Sequence, residues 1–146
     1  MSVPSDVVAL ITHKKAQYCH SADSNQWKAF EKVFLPDATF IFVDAKDEVI
    51  NVGREWSFSS REDFVAYFSN SFKVQQTIHL VGPGEFEQIS SDEIRVTWSV
   101  IYHCGPRDSE TEGHGTGRGH YHGVWKKREG DWFMASMRMK RLYWRT

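Results

Sequence analysis

The chain has 146 residues, 40% hydrophobic and 25% charged, a size and balance that suit one domain around one core. Lysine and arginine total 18 against 19 aspartates and glutamates, so the net charge of −1 supplies no concentrated basic face for nucleic acid. No apolar run approaches the roughly 18 residues that a membrane span needs.

Residues 1–146 read as a single domain, helices first and strands later, an order that favours α+β over alternating βαβ units. Ser5-Asp6, after Pro4, opens a helix in which Val7, Leu10, Ile11, Lys14 and Tyr18 recur at helical spacing, with an end near His20. Asp23-Ser24-Asn25 is a second capping cluster, and Trp27, Phe30, Val33 and Phe34 make one apolar helical face that Pro36-Asp37 stops. Thr39 to Val43 is a strand, Lys46-Asp47 a turn and Val49 to Val52 a short return strand. A capping box at Ser59-Glu62 or Ser60-Asp63 starts a third helix carrying Phe64, Val65, Tyr67 and Phe68. Strands then follow at Thr77 to Val81, Phe86 to Ile89 and Ile94 to Cys104. Gly105 to Gly117 reads as a polar, mobile loop, and Gly113 to Gly119 as a flexible hairpin loop near the cavity mouth with a lid role open to it. Arg118 to Lys127 and Trp132 to Trp144 are strands joined by a hairpin at Arg128-Glu129-Gly130-Asp131. The expected product is a cone-shaped, curved antiparallel sheet with three helices from the N-terminal half, enclosing a pocket.

The aromatic content is high at 14%, with 10 Phe, 6 Trp and 5 Tyr, and seven histidines accompany it. Two cysteines, Cys19 and Cys104, make no disulfide framework, and Met1 to Lys15 has no secretory pattern, so a cytoplasmic setting is expected.

Three stretches resemble a known family. They are Tyr18-Cys19-His20-Ser21-Ala22-Asp23-Ser24-Asn25-Gln26-Trp27 leading to Phe34-Leu35-Pro36-Asp37-Ala38; Thr77-Ile78-His79-Leu80-Val81-Gly82; and Gly119-His120-Tyr121-His122 followed by Trp125 to Trp132. In order and spacing they look like the SnoaL-like branch of the nuclear-transport-factor-two-like superfamily, nearest to scytalone dehydratase and bile acid 7-alpha dehydratase. The resemblance implies catalytic roles for Asp23 and His79, and for Tyr18 as in the bile acid enzyme. It departs from scytalone dehydratase at Ala22 and Phe42, where that enzyme has tyrosines, and near Tyr121, where it has an asparagine. A second family histidine falls near His103 or Cys104. Scytalone itself is therefore not the expected substrate.

The residues support that chemistry in their own right. An imidazole titrates near neutrality, so His79 can take a proton beside a carbonyl and return one to a leaving hydroxyl. A carboxylate such as Asp23 would fix its tautomer, and Tyr18 could polarise a substrate oxygen. The plain alternative makes Asp23 a helix cap and His79 a core or surface residue. Trp27, Phe42, Trp98, Tyr102, His103 and Tyr121 are the substrate-binding wall. A bulge near Tyr102 to Cys104 would turn His103 inward. His103, Cys104, His114, His120 and His122 invite a metal reading, but no compact ligand spacing supports one and no metal is expected. Gly113 to Gly119 follows no strand and opens no helix, so it is no dinucleotide fingerprint, and no cofactor is expected. Lys126-Lys127-Arg128 is a solvated hairpin tip. Arg138 or Arg141 could reach the pocket and hold an anionic oxygen, although a surface or interface salt bridge is the plainer reading.

Two functions compete. One is a cofactor-independent dehydratase, cyclase or isomerase for an apolar oxygenated ring compound, such as a polyketide or terpenoid intermediate. The other is a non-catalytic small-molecule-binding or dimerising module. Epoxide opening, a third use of this fold, wants an Asp-Arg-Asp constellation that Asp92 and Arg95 do not complete. The expected partners are a small apolar substrate and further copies of the chain, as a homodimer or homotrimer, with no nucleic acid or membrane.

Overall fold

The computed structural model describes residues 2–146. Helix α1 covers Ser5–Asp23, and a 3-10 turn covers Trp27–Lys32. Strand β1 is Phe34–Val43, β2 is Ser57–Phe58, helix α2 is Arg61–Ser71, and β3 is Gln75–Val81. Strands β4 (Glu85–Ser90), β5 (Glu93–Pro106), β6 (Gly115–Arg128) and β7 (Asp131–Arg145) complete the fold. This is the expected α+β class.

The second helical segment differs from the reading above. It is a 3-10 turn, and Phe34 already belongs to β1. The apolar set Trp27, Phe30, Val33 recurs every third residue, which is the 3-10 repeat, so one narrow stripe faces the core without a full α-helix. Asp23 does not cap this turn; Gln26 precedes it and offers no side-chain cap. Helix α2 starts as expected, with Ser60 Oγ accepting from Asp63 N at 3.0 Å. Val49 to Val52 forms only isolated bridges, Val49 to Val43 and Asn51 to Glu55, instead of a strand.

The sheet order is β2-β1-β7-β6-β5-β3, with β4 also on β5. It is mixed: β1 runs parallel to β7, from Thr39 beside Ser136 to Val43 beside Lys140, whereas the other pairs are antiparallel. Strands β3 and β4 lie end to end along β5, broken at Gly82-Pro83-Gly84. The β6–β7 hairpin turns at Glu129 and Gly130, both at positive φ (52° and 81°), the pairing that suits a tight two-residue turn.

Curvature comes from β7. It carries one extra residue at Ala135 and another at Leu142, since Trp125 pairs Met134 while Val124 pairs Ser136, and Gly119 pairs Arg141 while Arg118 pairs Tyr143. Each bulge bends the strand and increases its twist. The concave face folds over α1 and α2. Near its closed end Phe30, Phe34, Phe40, Phe58 and Phe64 are all at most 3% exposed, with ring centroids as close as 4.5 Å for Phe40–Phe64. The other half of the concave face is left hollow. No helix among the described residues is long and apolar enough to cross a membrane.

Candidate active site

Asp23 is the last residue of α1, and β3 passes beside that end. Alternation along β3 turns Thr77 and His79 inward and leaves Ile78 and Leu80 outward, at 64% and 71% exposure. The Asp23 carboxylate then meets β3 three times. Oδ2 accepts from the His79 backbone N–H at 3.0 Å, Oδ1 accepts from Thr77 Oγ1 at 2.9 Å, and Oδ1 lies 2.6 Å from His79 Nδ1. A carboxylate accepts only, so neutral His79 carries its proton on Nδ1 and keeps a lone pair on Nε2. Among the described residues Nε2 has no hydrogen-bond partner, and the ring borders the cavity. The arrangement is a carboxylate-oriented imidazole with its basic nitrogen free.

The cavity holds about 470 Å³ and its wall is mostly hydrocarbon. That is the size of a small-molecule site. Tyr18, Trp27, Phe42, His79, Tyr102 and Tyr121 all line it, with Trp56, Phe68, Phe72, Cys104, Met139, Arg141 and Trp144. Tyr102 sits opposite His79 in the β3–β5 register and stacks on it, with centroids 5.8 Å apart and planes 25° apart. Tyr18 and Tyr121 meet edge to face at 5.8 Å. Burial pushes both phenols well above their ordinary range, so both are neutral hydrogen-bond donors at physiological pH.

Two expected wall residues are elsewhere. Trp98 is 2% exposed but packs against Phe86, with centroids 5.7 Å apart, beyond the cavity. His103 points to the outer face, because β5 and β6 pair without a bulge from Tyr102–Gly117 through Cys104–Gly115. Its Nδ1 contacts Thr116 Oγ1 at 3.1 Å and its Nε2 contacts His114 Nδ1 at 2.9 Å, while His114 Nε2 reaches the Ser109 carbonyl at 2.6 Å. These histidines pin the β5–β6 connection. Cys104 takes the inward position beside Thr77. His120 and His122 neighbour each other at 6.1 Å, and no metal-ligating trio occurs among the described residues.

From Gly115 onward the glycine-rich run is strand. Gly115, Gly117 and Gly119 lie in β6. A Cβ on Gly117 would overlap the Tyr102 ring, and one on Gly115 would overlap the Trp144 indole. The bare backbone is a trough in which aromatic side chains from β5 and β7 lie flat at the cavity mouth.

A family model for the SnoaL-like domain matches residues 6–138. The chain belongs to the SnoaL-like domain family. A curated relative, the probable cyclase FGR4 of Gibberella zeae, is 52% identical over 146 residues, covering 99% of this chain and 97% of that protein. Among solved structures, one named for scytalone dehydratase from Novosphingobium aromaticivorans superposes with a TM-score of 0.75 at 15% identity, over 93% of this chain and 84% of that one. The hexachlorocyclohexane dehydrochlorinase LinA-type3 of Novosphingobium barchaimii gives 0.74 at 14% identity, over 93% and 86%. At such identities these two speak for the SnoaL-like cone alone.

Some residues of this SnoaL-like site were not singled out by sequence reasoning. Trp144 faces the cavity because the Leu142 bulge shifts the alternation after Arg141, so that Trp144 points inward with Arg141 and Tyr143 points outward. Lys15 lies behind the Tyr18–Tyr121 wall, fully buried. Its Nζ sits 4.0 Å from the Tyr18 ring centroid, 3.6 Å from that of Tyr121 and 3.8 Å from Met137 Sδ. Burial lowers its pKa from 10.5 to about 7, with nearby Cys19 opposing. The only sequence signal was its place on the buried helical stripe, four residues after Ile11 and three before Tyr18.

Proposed function

We propose that this SnoaL-like chain is a cofactor-independent enzyme that dehydrates, cyclises or isomerises an apolar oxygenated ring compound, such as a polyketide or terpenoid intermediate, through His79 and Asp23. The observation that carries this reading is the 2.6 Å contact between His79 Nδ1 and Asp23 Oδ1 at the wall of an apolar cavity. The Nε2 lone pair takes a proton from the carbon next to a carbonyl. The Asp23 carboxylate stabilises the imidazolium formed, and Tyr18 and Tyr121 donate to the oxygen on which negative charge collects. The imidazolium then returns the proton, to a departing hydroxyl in a dehydration or, in a ring closure, to the oxygen of the carbonyl whose carbon is attacked. Water expelled from the aromatic wall strengthens each of these contacts.

The names of the relatives are of the same kind: a cyclase, a dehydratase and a dehydrochlorinase. The binding-module alternative makes Asp23 a helix cap, and Asp23 instead spends its carboxylate on β3. Ring opening of 5-nitrobenzisoxazole, a flat apolar substrate that opens when one carbon-bound proton is removed, tests the base without knowledge of the natural substrate. The wild type should exceed His79→Ala by about 10²–10⁴-fold, with Asp23→Asn between them. Equal rates for wild type and His79→Ala would overturn the assignment.

A further inference from the structure

Among the described residues Arg141 is the one arginine or lysine in the cavity wall. Among the described residues no carboxylate lies within salt-bridge distance of it, although the neighbouring cations on β7 are matched: Arg138 and Lys140 reach Asp47 at 2.5 Å and 3.1 Å. Its placement follows from the strand. Gly119, opposite Arg141, stands where a Cβ would overlap the Lys140 carbonyl; Arg141 shares the concave face with Met139 by alternation, and the Leu142 bulge brings Trp144 onto the same face. The guanidinium carbon then lies 5.9 Å from the Trp144 ring centroid. Tyr102 is near as well: burial pushes its phenol up while Arg141 draws it down. Tyr102 stacks in turn on His79. A planar cation therefore lies beside a Tyr102–Trp144 pair whose rings are 6.1 Å apart, one ring away from the catalytic imidazole, in a wall that is mostly hydrocarbon. A guanidinium presents its donors as a rigid fork that fits two oxygens sharing one negative charge.

We propose that Arg141 is a substrate-anchoring residue, and that the substrate class is an apolar ring system bearing one acidic oxygen group, a carboxylate or an acidic enol, seated on Arg141 with the ring body reaching toward His79. This rests on the reading of the cavity as an enzyme site and adds the charge of the molecule that fills it. An anion is favoured because a neutral ligand would leave the guanidinium without a counter-charge against a mostly hydrocarbon wall.

The test is a pair of probes of one shape and two charges, 2-naphthoate and 2-naphthamide, titrated calorimetrically into the full chain at low ionic strength. The wild type should bind naphthoate at least about tenfold more tightly than the amide. Arg141→Met should remove that preference while leaving amide affinity within about threefold, and Arg141→Lys should keep part of it, because the charge stays and the fork is lost. Circular dichroism melts of both variants report whether the fold is kept. Equal affinities for the two probes in the wild type, no binding of naphthoate, or an equal loss of both probes in a folded Arg141→Met would overturn the proposal. His79→Ala should leave the naphthoate preference intact, so a failed base assignment and a failed anchor give different results.

Discussion

Replacing Lys15 by Met asks what a buried cation costs this fold. Lys15 has no exposed surface, no carboxylate within salt-bridge distance among the described residues, and two aromatic faces against Nζ. A pKa lowered from 10.5 to about 7 corresponds to about 5 kcal/mol at about 1.4 kcal/mol per tenfold change. The Tyr18 and Tyr121 faces return about 1–2 kcal/mol each, which leaves a net cost of about 1–3 kcal/mol. Met keeps the length and packing of the stem without the charge. The direction with pH is fixed by linkage. Between the lowered pKa and 10.5 the unfolded chain holds this proton and the folded chain does not, so stability rises with pH toward 10.5. The groups around Nζ are Tyr18 and Cys19 on α1, Tyr121 on β6 and Met137 on β7, and both phenols stay neutral in the lower part of that range. Urea unfolding followed by circular dichroism should therefore find Lys15→Met more stable than wild type by about 1–3 kcal/mol at pH 6.5, with the gap closing toward pH 10. A variant that is less stable than wild type at pH 6.5, or a gap that does not change with pH, would refute the reasoning.

Three further outcomes are expected. Gly117→Ala drives Tyr102 out of its trough and into the cavity; it should lower stability by about 1–3 kcal/mol and weaken 2-naphthoate binding, both measurable in one calorimetric series. Phe64→Ala empties the centre of the aromatic cluster, where Phe64 is 3% exposed and lies 4.7 Å from Phe68; it should cost about 3–5 kcal/mol in urea unfolding. On the outer face Leu80 stands opposite Ile101, at 71% and 49% exposure, next to Ile78. If copies of the chain assemble through this face, analytical ultracentrifugation should find a dimer or trimer in the wild type and a monomer in Leu80→Glu; a monomeric wild type would end that expectation.

Much of the fold was legible because local periods are strong here. The stripe from Val7 to Tyr18 marks α1, the Ser60–Asp63 cap marks α2, and β-branched and aromatic alternation marks β5 and β7. The Asp23–His79 pairing was legible only through family spacing, since 56 residues separate the two and no local pattern brings a helix end to a strand start. By itself the sequence determined the α+β class and the residue types able to do acid–base work. The tertiary structure decided the rest. Whether Trp27 to Val33 winds as α or 3-10 depends on where Phe34 joins the sheet, and the parallel pairing of β1 with β7 is a long-range choice that neither strand encodes alone. Gly115, Gly117 and Gly119 read as loop because glycine is permissive of any backbone; they are strand because Tyr102 and Trp144 need the space above them. Alternation placed Trp98 and Tyr102 on one face of β5, but the strand is longer than the cavity and only Tyr102 reaches it. On β7 a single extra residue at Leu142 reverses the alternation, and so brings an indole to the mouth of the cavity beside the guanidinium of Arg141.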